Sequence, residues 1–181
     1  MAKRGAIRKD RMNQAIESAF RPGIFISYYE GPTFVSGLRS VEAEIAKLVG
    51  SDPARAVTLY ETLLAGCKVK AEEIDDSDGA LGMLADDLFG GWIRARQAAG
   101  ADCDDTARRL LKFMDEDSYG FSSVLDRSAV KVLDRPGLAA FEREVLARFD
   151  KECATGKGDS PVGLNPHYKL LTTSVIAGAG Y

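Results

Sequence analysis

The string Asp75-Asp76-Ser77-Asp78-Gly79 sets three carboxylates and a hydroxyl within four residues, hard oxygen donors of the kind that bind calcium. A calcium loop of the EF-hand type needs acids at positions 1, 3 and 5, Gly at 6 and Glu at 12. With Gly79 at position 6, Ile74 falls at position 1 and Ala85 at position 12, so the first and the bidentate ligands are missing. Asp76 and Asp78 remain the candidate metal ligands, but helix capping explains the string better. Ser77 or Asp78 is expected to accept N–H groups from the helix that follows, and the neighbouring acids suit its positive end.

Other reactive side chains are sparse. His167 is the single histidine, and Cys67, Cys103 and Cys153 are widely spaced with no CxxC pair. A zinc site wants about four clustered ligands, and a Cys–His nucleophile would have to be assembled by folding alone. The cysteines read as small apolar fillers. Asp86-Asp87 and Asp104-Asp105 are adjacent pairs. Neighbours on a helix face different ways, so neither is a ready acid–base couple. Gly156-Lys157-Gly158 lacks the preceding strand and the Ser/Thr of a phosphate loop. Tyr60, Phe89, Trp92 and Phe113 sit at core spacing rather than pocket spacing.

The elements that position these residues read as helices throughout. Ala6 to about Phe20 has a helical pattern that Arg21-Pro22-Gly23 should end. Ile24 to Tyr29 is β-prone but has no evident partner strand, so a buried connector or short helical turn is expected. Thr33 is placed to cap a helix carrying Phe34, Leu38, Val41, Ile45 and Leu48, with Gly50 just beyond its end. Asp52-Pro53 then starts a helix bearing Val57, Tyr60, Leu63, Leu64 and Cys67. The acidic turn follows. Leu81, Leu84, Leu88, Phe89, Trp92, Ile93 and Ala95 make a stripe wide enough for neighbours on two sides. Further helices are expected from about 104, 121 and 136. The first carries Ala107, Leu110, Leu111 and Met114, and the last carries Leu138, Phe141, Val145, Leu146 and Phe149 behind an Asp134 cap. Between them lies a second acidic turn, Asp115-Glu116-Asp117-Ser118-Tyr119-Gly120.

This pattern predicts an all-α fold of about seven helices in stacked hairpins, an irregular two-helix repeat or bundle. Residues 1–153 form the helical domain. Residues 154–181 are a loop-rich tail with a short helix near Tyr168–Ala177.

At 181 residues with 45% apolar and 28% charged side chains, the composition is that of an ordinary globular domain. The sequence shows no apolar run long enough to span a membrane and no secretory leader pattern. Few, unpaired cysteines fit a reduced, cytoplasmic setting. The net charge of −3 conceals an asymmetry: residues 1–22 hold six bases against two acids, whereas residues 51–126 hold 16 acids against eight bases. So acidic a centre repels phosphate and argues against general nucleic-acid binding. The basic start, with Lys3, Arg4, Arg8, Lys9 and Arg11, keeps a nucleic-acid contact as a third alternative.

Phe25 to Val49, Asp75 to Gly79 with Leu81, and the Asp117, Tyr119, Gly120 turn are similar to a bacterial domain family of unknown function. That resemblance spans about Ala6 to Phe149 and implies an all-helical, repeat-like fold. Some members of that family look to be fused to zinc-finger segments, a feature this sequence lacks. The family implies no catalytic residue. The tail after Ala154 departs from its pattern.

The expectation is thus a non-enzymatic interaction module without a cofactor. It binds another protein, a basic one, through a groove or an acidic face built from Asp75, Asp76, Asp78, Asp86, Asp87, Asp115 and Asp117. The second alternative is an enzyme or a small-ligand or metal binder with a site between helices.

Overall fold

Helix α4 (Ala80–Ala98) organises the N-terminal half because its apolar residues cover most of its circumference and leave only a narrow exposed edge, with Asp87 and Arg94 on it. Leu81, Leu84, Leu88, Phe89, Trp92, Ile93 and Ala95 are all buried, as their spacing predicts. Such a stripe needs cover on two sides, and α2 (Gly31–Ala46) and α3 (Pro53–Lys70) supply it by packing against α4 and each other. The computed structural model describes residues 12–116 and 131–154, apart from the side chains of Met114, Asp115, Glu152 and Cys153. Among these residues every regular element is helical, and an isolated bridge is the sole β-type pairing.

The chain divides into two compact units, Met1–Ala99 and Gly100–Tyr181. In the first, residues 12–19 form α1, which buries Ile16. Gly23 adopts a left-handed φ of 78°, so the Pro22-Gly23 stop works as expected. Helix α2 begins at Gly31 with Pro32 in its first turn, and Glu30 holds the N-cap position without a side-chain cap bond. Thr33 is therefore inside the helix rather than its cap. Pro32 already provides a preset φ in the first turn, so the helix starts three residues earlier than a Thr33 cap allows. Gly50 lacks a positive φ, and α2 gives way to turns after Ala46. Helix α3 starts where Asp52 accepts the Arg55 N–H at 3.3 Å with Pro53 in the first turn. It buries Ala56, Leu59, Tyr60, Leu63, Leu64, Cys67 and Lys70. A 3-10 turn, Ala71–Glu73, and the acidic turn lead into α4, making the expected hairpin of α3 and α4.

Two close approaches tighten this unit, one inside the hairpin and one between α3 and the residue that follows α1. The Tyr60 ring lies where a Cβ on Gly91 would stand, 2.3 Å away, and the Phe20 ring does the same at Gly66. Only glycine admits an aromatic face so near the helix backbone.

In the second unit, α5 (Cys103–Asp115) packs on α6 (Arg135–Ala154). Asp102 caps α5 through the Asp105 N–H at 2.7 Å, and Asp134 caps α6 through the Gly137 N–H at 2.9 Å. Ala107, Leu110 and Leu111 are buried on α5, as are Ala140, Phe141 and Val145 on α6. Leu146, read as core, is 41% exposed, because Val145 takes the inward position. The helix expected from 121 and the tail from 155 lie outside the described residues.

Candidate interaction surface

The acidic turn is built around Gly79. Its left-handed φ of 71° reverses the chain into α4, and it occupies the N-cap position without a side chain to cap with. The free N–H groups of the first turn are taken from further back. Asp76 Oδ1 accepts from Leu81 at 2.8 Å and Asp76 Oδ2 from Gly82 at 3.3 Å. Asp78 Oδ1 accepts from Ala80 at 3.1 Å. Two carboxylates thus satisfy three orphan donors at the positive end of α4. The capping expectation holds for Asp78, but Asp76 takes the inner positions that Ser77 was expected to share. Ser77 instead donates its N–H and hydroxyl to Asp75 Oδ1, at 3.2 and 2.7 Å, in an Asx turn. Among the described residues no group of three or more His, Cys, Asp or Glu side chains is arranged to hold a metal ion.

The other acids part company. Asp87 reaches across to Arg39 on α2, while one Asp86 oxygen is buried without a hydrogen-bond partner among the described residues. Asp104 pairs with Arg143 at 2.6 Å, and Asp105 with Arg109 at 2.9 Å. Adjacent carboxylates on a helix diverge, as the spacing predicts. The Asp115 side chain and all of Asp117 lie outside the described residues, with the Tyr119-Gly120 turn, His167 and Cys153. Cys67 is buried on α3, and burial pushes its thiol up to about 12. It remains protonated at neutral pH, which suits the filler reading. Tyr60, Phe89 and Trp92 are core, with Phe113 half-buried. Burial, then the nearby Glu42 carboxylate, raises the Tyr60 phenol; its hydroxyl donates to Glu42 at 3.0 Å.

What the sequence reading missed is a clamp around Lys70. Its side chain is only 3% exposed, and its ammonium donates to Arg21 O at 3.0 Å, Ile24 O at 2.6 Å and Glu73 Oε2 at 2.7 Å. Three N–H groups meet three acceptors, so burial leaves no donor unsatisfied. Glu73 Oε1 accepts the Gly23 N–H at 2.8 Å. The Lys70 hydrogen bond, then that of Gly23, holds the Glu73 carboxyl below its ordinary 4.5. A signal existed: Lys70 continues the face of Leu63 and Cys67 at helical spacing, where a solvated lysine does not belong.

The clamp pins residues 21–24 beside the start of the acidic turn. The Ile24–Tyr29 run is therefore not a buried connector. It finds its partner in Ile74 through a parallel bridge, with Ile26 N–H to Glu73 O at 2.8 Å and Asp75 N–H to Ile26 O at 2.9 Å. Ile26 alone of the run's large side chains turns inward. Phe25 is 65% exposed and Tyr29 90%, with Ile24 and Tyr28 also open to water. The Tyr28 and Tyr29 rings meet edge to face at 5.7 Å. Glu30 accepts both the N–H and the hydroxyl of Ser27, at 3.0 and 2.6 Å, and these bonds lower its carboxyl.

No helix among the described residues is long and apolar enough to cross a membrane. Compared with known proteins, the chain matches no family model, no curated relative and no solved structure.

Proposed function

We propose that this chain is a protein-interaction module whose N-terminal unit offers an acidic face to a basic protein segment. One observation carries the reading. Residues 22–38 and 71–93 hold eight carboxylates and no Lys or Arg, and the Ile26–Ile74 bridge draws the two stretches together. Arg39 and Lys70 neutralise Asp87 and Glu73. Glu72, Asp75 and Asp78 are exposed and make no ion pair among the described residues. A surface of one sign speeds encounter with an opposite partner and rejects like charge. The cytoplasmic setting and the kinship with a bacterial repeat-like family belong to the same proposal; they rest on the sparse cysteines and on three short stretches of sequence.

Calorimetric titration with a lysine-rich peptide and with its glutamate-rich counterpart tests the reading. The basic peptide is expected to bind at low salt and to weaken as salt screens the contact. Equal binding of both peptides, or none of the basic one, overturns it.

A further inference from the structure

The aromatic run beside the acidic turn narrows the partner's chemistry. Rings exposed as fully as Phe25 and Tyr29 contribute little to the fold, and adjoining apolar side chains in water mark contact surfaces more often than accidents. The run is also held in place without using those rings. Its anchors are backbone groups: the Ile26 bridge to Glu73 and Asp75, the two carbonyls on Lys70 and the Gly23 N–H on Glu73. At its far end, the Glu30 carboxylate ties back Ser27. Gly31 lies beside Asp75, with its Cβ position 3.8 Å from the Asp75 carbonyl oxygen. The connector thus meets the start of the acidic turn at Ile26 and again at Gly31. A backbone fixed this way loses little freedom when a ligand arrives, and each ring has only two side-chain torsions to order.

We infer that the Phe25–Tyr29 run and the adjoining acidic turn form a docking surface for an extended, arginine-bearing peptide segment. The inference rests on the interaction reading above and names its ligand. An arginine guanidinium is planar, stacks on aromatic faces and donates in a fork to carboxylates. This surface offers both groups: exposed rings on the connector, and the exposed carboxylates of Glu72 and Asp75 in the segment around Ile74, the bridge partner of Ile26. Lysine satisfies the charge but gains less from the rings. The ligand is extended because the Phe25 backbone N–H and C=O make no hydrogen bond among the described residues. Ile26 spends its own pair on residues 73 and 75, and alternation along an extended chain turns its neighbour's groups to the opposite edge. That edge can accept a further strand-like segment.

Fluorescence anisotropy with three labelled peptides of equal length tests this: alternating Arg-Ser, alternating Lys-Ser and alternating Glu-Ser. Wild type is set against the double variant Phe25→Ser, Tyr29→Ser and the double variant Glu72→Gln, Asp78→Asn, each first shown by circular dichroism to keep wild-type helicity. The expected result is an arginine preference over lysine of about fivefold to tenfold in wild type. The aromatic variant should lose that preference and bind the arginine peptide about tenfold more weakly. The charge variant should weaken both basic peptides alike. If the aromatic variant binds as wild type does, or wild type shows no arginine preference, the docking inference is overturned and the acidic-face reading stands. If wild type ignores both basic peptides at low salt, both are overturned.

Discussion

Two sets of aromatic residues in the N-terminal unit have opposite fates. Tyr60 and Trp92 are almost wholly buried in the α3–α4 hairpin, and each sends its one polar atom to a glutamate, Tyr60 to Glu42 and Trp92 to Glu61. Phe25 and Tyr29 stand in water on a connector only a few residues long. The difference lies in what holds each segment. The hairpin is held by its side chains, so its rings must be inside. The connector is held by its backbone and by Lys70, so its rings are left over. Arg96 shows the same contrast from the polar side: it is buried against the Trp92 ring at 5.1 Å, the stacking that Phe25 and Tyr29 offer to an outside cation.

The largest test of this contrast is Trp92→Ala. Removing a fully buried indole should lower unfolding free energy by about 3–5 kcal/mol. A loss below 1 kcal/mol in urea titration would break the claim that side chains hold the hairpin. Next is Gly91→Ala, whose new methyl meets the Tyr60 ring. The expected cost is about 1–3 kcal/mol, and it should shrink in a Tyr60→Leu background. The two substitutions together measure that coupling.

The connector responds to different changes. Lys70→Met strands three acceptors that its ammonium serves and should cost about 1–3 kcal/mol. Amide hydrogen exchange should quicken at Ile26 and Asp75, whose N–H groups form the bridge, more than in the centre of α4. Uniform quickening would instead place Lys70 in the general stability of the unit. The same clamp has a pH signature. Because Glu73 ionises more readily folded than unfolded, its contribution is complete above about pH 4.5 and fades as pH falls through the lower folded value. Wild type should lose more stability than Glu73→Gln between pH 6 and pH 3, measured by denaturation at each pH. Smallest is the effect of Phe25→Ser with Tyr29→Ser, expected within about 0.5 kcal/mol of wild type. A larger loss would mean that the exposed rings belong to the fold after all.

The sequence by itself determined the all-helical class, the α3–α4 hairpin, the stripe of α4 from Leu81 to Ala95, and the Asp52 and Asp134 caps. These depend on periodicity and on donors within a few residues, which a linear reading can count. It also showed why Asp76 and Asp78 make a poor calcium loop, since ligand spacing is a local property. Tertiary structure alone decided the rest. Lys70 is bonded to carbonyls 46 and 49 residues away, Ile26 pairs with a residue far along the chain, and Gly91 faces a tyrosine from another helix. Each depends on the distance between segments that only packing sets. The exposed connector is the clearest case. Its hydrophobicity predicted burial, yet burial requires a neighbour to cover it, and the helices of this unit spend their apolar faces on one another.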